Sequence, residues 1–153
     1  EEGKSGRLIP THHKGMLQMM NPPQEQNAVR MRLVPPGKVA GAVNVLPAAA
    51  TMNGSLEARS DLCIRIDGNY TGKIDMKVGG TVHISVGAVV VTDMLVADFI
   101  YVEGTVKDDL HARQAVELAA TSIVHGSVRY DKHLDIHPGA RLTGQMNGPD
   151  AQL

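Results

Sequence analysis

With 153 residues, a formal net charge of −1 and a single cysteine, the chain fits one domain. The near-neutral balance argues against a general nucleic-acid binder. The lone Cys63 excludes an internal disulfide and suits a reducing, cytoplasmic compartment.

Residues 1–50 hold six of the eight prolines: Pro10, Pro22, Pro23, Pro35, Pro36 and Pro47. Proline at this density blocks helices and interior strands, so an extended N-terminal arm is expected rather than a second domain. Val29–Leu33 alternates apolar and basic residues, and Val39–Val45 leads into the segment that follows. Both are candidate strands that would cover or extend an open sheet edge. Met16, Leu17, Met19 and Met20 lie beside His12, His13 and Lys14 and read as a docking peptide for a protein partner or a membrane surface; a plain tail is the other reading. The arm carries six Lys/Arg and three Asp/Glu, and residues 51–153 carry nine and thirteen, so a +3 arm precedes a −4 body. No apolar run approaches the length of a membrane span and no signal peptide is visible.

From Met52 to Gly148 the sequence repeats. Six times it gives four alternate positions in the order apolar, small, apolar, apolar. They begin at Met52, Tyr70, Val90, Val106, Val124 and Leu142, with spacings of 18, 20, 16, 18 and 18 residues. Between them fall the shorter pairs Ile64-Ile66, Val82-Ile84, Ile100-Val102, Val116-Leu118 and Leu134-Ile136. Alternation at every second residue is the strand signature. Self-similarity at this period predicts a stack, in which one coil buries its apolar row only against the next. Asp67-Gly68, Gly79-Gly80, Val86-Gly87, Glu103-Gly104 and Pro138-Gly139 mark the corners. The expectation is an all-β solenoid over 51–148, preceded by the arm at 1–50 and followed by a short tail at 149–153.

No residue cluster reads as an active site, and no cofactor or metal is expected. In the repeat register His83, His111, His125, His133 and His137 all point outward and read as solvated. Asp108 replaces the small residue of its coil, and the Asp108-Asp109 pair reads as a corner or ladder feature. Gly3-Lys4-Ser5 lacks the upstream glycine, strand and helix of a phosphate loop. Asn53-Gly54-Ser55 and Asn69-Tyr70-Thr71 match the glycosylation pattern but fall inside expected strands. In the third coil the outward positions Val91, Leu95, Phe99 and Tyr101 are apolar as well, which predicts a lateral contact patch against the arm or a partner.

The run Ile64-Arg65-Ile66-Asp67-Gly68-Asn69-Tyr70-Thr71-Gly72-Lys73-Ile74 resembles the recurring phrase of bactofilins, polymer-forming bacterial cytoskeletal proteins. Val82–Ala88, Val102–Val106 and Ile136–Gly144 continue the likeness in order and spacing over residues 52–148. The resemblance implies a right-handed parallel β-helix of about six coils, end-to-end polymerisation without nucleotide, and a scaffold role at membranes or appendages. Thr92 and Asp108 depart from the family's small Gly. Leu142 stands where many members carry an aromatic residue near the C-terminal polymer contact. The arm is longer and richer in Pro and Met than the family's usual tail.

A non-enzymatic structural protein is therefore expected, with further copies of itself or the subunits of a larger assembly as partners and no small-molecule substrate. The end coils would make the contacts, Met52, Leu56 and Ala58 at one end and Leu134, Ile136, Leu142 and Met146 at the other. The alternative is the left-handed β-helix of trimeric acyltransferases and γ-type carbonic anhydrases, since Met52, Ala58, Ile64, Tyr70, Met76 and Val82 are spaced six by six. Against it stand the slip of that phase after Val82, the lack of a protruding loop, and histidines without zinc spacing.

Overall fold

The alternation becomes strand almost throughout. The computed structural model describes residues 33–39, 44–59 and 61–149, all within the compact unit that spans 31–153. The expected docking peptide, Met16, Leu17, Met19 and Met20, lies outside the described residues. After a single helical turn, α1 (Pro36–Val39), come β1 (Asn44–Leu46), β2 (Thr51–Ala58), β3 (Cys63–Ile66), β4 (Asn69–Met76), β5 (Thr81–Ile84), β6 (Val89–Val102), β7 (Thr105–Leu118), β8 (Ile123–Tyr130), β9 (His133–Ile136) and β10 (Arg141–Asn147). Every pairing among them is parallel.

Two ladders result. One stacks short strands: β1, β3, β5, the second parts of β6 and β7, then β9. The other stacks long strands: β2, β4, the first parts of β6 and β7, β8, then β10. This is a parallel β-solenoid of about six coils. The ladder opens with β1 at Asn44, which pairs beneath β3.

The inward rows run unbroken through the stack. Met52, Tyr70, Val90, Val106, Val124 and Leu142 lie in register. So do Leu46, Ile66, Ile84, Val102, Leu118 and Ile136. Neighbouring strands sit about 4.8 Å apart, so each inward side chain packs on the one before and the one after it. Tyr70 brings a fully buried aromatic ring into the main core, and its hydroxyl lies 3.0 Å from the Gly54 carbonyl and 2.9 Å from that of Lys73. Burial raises its pKa above the ordinary phenol value.

The long strands bend where the repeat has its small residue. Gly54, Gly72, Gly126 and Gly144 carry φ values of +142°, +140°, +146° and +141°. A Cβ on Gly72 would stand 1.7 Å from the Gly54 carbonyl oxygen, one on Gly126 2.1 Å from that of Asp108, and one on Gly144 2.0 Å from that of Gly126. Backbone angle and the closeness of the preceding coil both exclude a side chain. The two departures from glycine behave differently. Asp108 adopts a positive φ of 80° itself. At Thr92 the chain instead takes in an extra residue, with the register shifting between Thr92 and Leu95 against β4 and β7 alike. The Thr92 hydroxyl accepts the Met94 N–H at 3.0 Å inside this bulge.

The bulge corrects the expected register. Strict alternation from Val90 puts Met94 and Val96 in the inward row; Met94 is instead turned out to 39% exposure, and Val96 pairs with the outward residues Asp75 and His111. Leu95, expected on the outward lateral patch, is fully buried and stacks between Ile74 and Leu110. Ala97 follows it into the core.

The uneven repeat spacing arises at the corners and at this bulge. The corner made by Lys77–Gly80 in one coil is the single residue Asp98 in the next. Its carboxylate bridges the shortened turn. Oδ2 accepts the Gly79 N–H at 2.8 Å and Oδ1 accepts the Arg113 Nε–H at 2.7 Å, while Arg113 also donates to the Met76 carbonyl. Asp98 is 5% exposed, and these bonds satisfy a charge that would otherwise be costly to bury.

Candidate functional site

Two features of the stack stand apart from a self-contained core: its ends, and one covered face. Along the first inward row exposure is 46% at Met52, 1% at Tyr70 and zero at Val90, Val106 and Val124, and Leu142 is half-buried. Along the second it is 8% at Leu46, zero from Ile66 to Leu118, and 41% at Ile136. Leu56, Leu134 and Met146 are half-buried. Ala58, placed in the end contact by the sequence, is a core residue at 6% exposure, in register with Met76 of the following coil. An open cleft of about 330 Å³ lies at the first end, bordered by Val45, Leu46, Met52 and Ile64. Among the described residues β1 and β2 each pair on one side only, as do β9 and β10. Each end therefore combines a strand edge that no described strand pairs with one exposed apolar residue of an inward row, Met52 at the first and Ile136 at the second.

The covered face is the outer side of the short strands. Two outward rows run along it: Cys63, Thr81, Phe99, Ala115, His133, and Arg65, His83, Tyr101, Glu117, Asp135. Outward residues of a solenoid normally meet water, yet Thr81, Tyr101, Ala115 and Glu117 are at most 2% exposed. The segment Leu33–Val39 lies over them. Val34 is fully buried against Tyr101 and Ala119, with Phe99 and Val39 packed beside it. The N–H groups of Leu33 and Val34 both donate to Glu117 Oε1 at 2.8 Å, while Glu117 Oε2 meets His137 Nε2 at 2.5 Å. Farther along, Lys38 Nζ lies 5.5 Å from the Phe99 ring centre and 3.7 Å from Asp61. The segment thus crosses several coils, from Glu117 to the corner at Asp61. Of the expected lateral patch, Phe99 and Tyr101 lie under it, Val91 is half-buried on a long strand and Leu95 is in the core.

The histidines correct a second expectation. His137 is 6% exposed rather than solvated, because its ring is enclosed with Glu117. His83 is bonded to Glu103 at 2.8 Å and packs tilted against Tyr101 with ring centres 5.3 Å apart, and His111 is bonded to Asp131 at 3.0 Å. His125 and His133 are exposed. Glu117, Asp135 and His137 bring ligand-type atoms within 4.8 Å of one another. Glu117 already accepts two backbone N–H groups and faces the imidazole, which makes the group a network that anchors a backbone segment. Burial, and then the Asp61 charge, push the Cys63 thiol pKa up, so it is a poor nucleophile. On the long-strand side a shallow cleft of about 370 Å³ passes Met94, Asp109, His111 and Arg129. There Asp109 is engaged with the Ser127 N–H at 3.3 Å and His111 with Asp131. No helix among the described residues is long and apolar enough to cross a membrane.

No curated protein and no solved structure matches the chain. The family profile described as "Bactofilin: Polymer-forming cytoskeletal" matches residues 44–147, from the first strand of the ladder to the last. That match covers more than half of the 153 residues, and with the parallel solenoid beneath it, the chain belongs to the bactofilin family of polymer-forming cytoskeletal proteins.

Proposed function

We propose that this chain is a structural subunit that joins copies of itself through the two ends of its solenoid. The observation that carries the reading is the exposure profile of the inward rows, zero through the middle coils and above 40% at Met52 and Ile136. The terminal coils carry the same apolar residues as the internal ones, where a closed solenoid places polar caps. A second copy laid on either end would continue the apolar row and pair the free strand edge, the strand-addition mode of association.

Burying the remaining exposed part of Met52 or Ile136 contributes about 1 kcal/mol each, from the 1.5–3 kcal/mol of a whole side chain. The edge hydrogen bonds and the half-buried Leu142 and Met146 add to this. Association entropy opposes it, so assembly depends on protein concentration. Met52→Glu and Ile136→Glu place a carboxylate in a row that must be dry. Each variant should keep the solenoid's circular dichroism, and each should raise the concentration needed for rods in negative-stain electron microscopy by tenfold or more, about 1.4 kcal/mol. Rods from both variants at the wild-type concentration would refute the end contact.

A further inference from the structure

We propose that the outer face of the short strands is a side-to-side interface for a second copy of this chain, and that the segment Leu33–Val39 is a strap that closes it. The inference goes beyond end-to-end joining and does not need it.

Three observations lead here. The strap covers outward-facing apolar side chains, Phe99, Tyr101 and Ala119, through one buried anchor, Val34. A face that a short segment must cover is a face that associates when uncovered. The strap is held locally, by Val34, by the two N–H bonds to Glu117 and by the surface pair Lys38–Asp61, so it can leave without unstacking a coil. The third observation identifies the occupant. Along the stack the central outward row reads Arg65, His83, Tyr101, Glu117, Asp135. It is basic at one end, aromatic in the middle and acidic at the other.

A row ordered in this way is complementary to its own reverse. Place a second copy across a two-fold axis at Tyr101, with its stack running the opposite way. Arg65 then faces Asp135, His83 faces Glu117, and the two Tyr101 rings meet. The two charge pairings each occur twice and the Tyr101 contact once, on the axis, as an isologous contact requires. A parallel arrangement would set like charge on like. Arg65, now paired with Asp67 at 3.1 Å, is 41% exposed and can turn to a partner. The Glu117 carboxylate, which accepts the strap's N–H groups in the closed form, would face His83 in the open one. The two occupants compete for the same acceptor, which makes the strap an autoinhibitory contact.

The test uses the full chain carrying Met52→Glu and Ile136→Glu, so that end contacts do not mask side contacts. Adding Val34→Asp puts a charge into the strap's buried anchor and leaves the solenoid untouched. Hydrogen exchange at the Leu33 and Val34 amides should speed up by about tenfold or more, and sedimentation velocity should move from monomer to dimer. In that background Arg65→Glu should return the monomer, and Arg65→Glu with Asp135→Arg should restore the dimer. Unchanged exchange would overturn the strap. A released strap on a chain that stays monomeric would overturn the interface, and so would a dimer indifferent to Arg65→Glu. Should the parent chain without these end substitutions form no rods, end-to-end joining falls alone, and the dimer assay still decides this interface.

Discussion

The bend row offers a controlled measurement of what coil stacking demands. Gly126 and Gly54 have nearly the same φ, +146° and +142°, yet a Cβ on Gly126 would meet the Asp108 carbonyl oxygen at 2.1 Å and one on Gly54 meets nothing within 4 Å. Alanine at Gly54 therefore carries only the backbone penalty, about 1–3 kcal/mol for a residue with a Cβ held in a φ/ψ region that glycine favours. Alanine at Gly126 carries that and a collision. Ordinary carbon–oxygen contacts begin near 3.3 Å, so the two coils must part by roughly 1 Å. Parting weakens the ladder bonds on either side, at about 1 kcal/mol each, and brings the total to about 3–5 kcal/mol. Out of a typical stability of about 5–15 kcal/mol that is a severe loss. For a domain near a hundred residues it corresponds to a fall in Tm of roughly 15–25 °C, against about 5–15 °C for Gly54→Ala. The assay is thermal and urea unfolding by circular dichroism in the Met52→Glu, Ile136→Glu background, where both variants are compared as free subunits. Equal losses at the two positions would refute the steric argument and leave only backbone preference.

The same pair reads the end contact. Each added Cβ in the row points at the coil before it, as the contacts of Gly72, Gly126 and Gly144 show. At Gly54 that direction leads out of the first end. If another copy continues the ladder there, Gly54→Ala in the otherwise unaltered chain meets its backbone as Gly126→Ala meets Asp108. The expected result is a folded subunit that no longer extends at that end, seen as a loss of rods with an unfolding curve displaced by no more than the backbone penalty. Rods of normal length from Gly54→Ala would mean that the first end does not stack coil on coil.

Two further predictions concern single residues. Asp98→Ala leaves the Gly79 N–H and the partly buried Arg113 guanidinium without their acceptor, so a loss of about 2–4 kcal/mol is expected; the double variant Asp98→Ala, Arg113→Ala should recover part of it, and strictly additive losses in urea unfolding would show that the pair does not bridge the short corner. The Asp67 carboxyl has its pKa held below the ordinary value, first by the Ser85 hydroxyl and then by Arg65, working against burial. A carboxyl whose folded pKa is depressed contributes stability that is full above its unfolded pKa, near 3.9, and that disappears as pH falls through the lower folded value; Ser85→Ala should therefore lower Tm at pH 7 and converge on the parent chain as the pH falls through that depressed value, and a gap that persists undiminished in acid would refute the linkage.

The inward rows were legible because each internal coil obeys a local rule. Ile64, Val82, Ile100, Val116 and Leu134 each open a short apolar pair at the same place in the repeat and stack where the alternation places them. The rule gave no purchase between Val89 and Ala97. Val89, Val90, Val91, Met94, Leu95, Val96 and Ala97 are apolar in both phases, so either register satisfies the pattern, and the position of one extra residue near Asp93 decides which. Only the neighbours on both sides, Ile74 and Leu110, fix it on Leu95. Glu117 was illegible for a different reason. As an acid between two core residues it is indistinguishable in sequence from Glu57 or Asp75. Its partners Leu33, Val34 and His137 lie 84, 83 and 20 residues away.

That contrast bears on assembly. A stacked chain whose terminal coils were meant to face water would break its own rule there, with polar residues in the inward row and shortened or charged edges. This chain keeps the rule to the last strand. Met52 and Ile136 continue rows whose internal members are dry, and β2 equals the internal strand β8 at eight residues while β10 is one shorter at seven. Selection on the isolated subunit has no reason to leave 46% of a methionine and 41% of an isoleucine in water at the mouths of the core. The terminal coils carry the residues of internal coils, and in a polymer joined at its ends that is what they become.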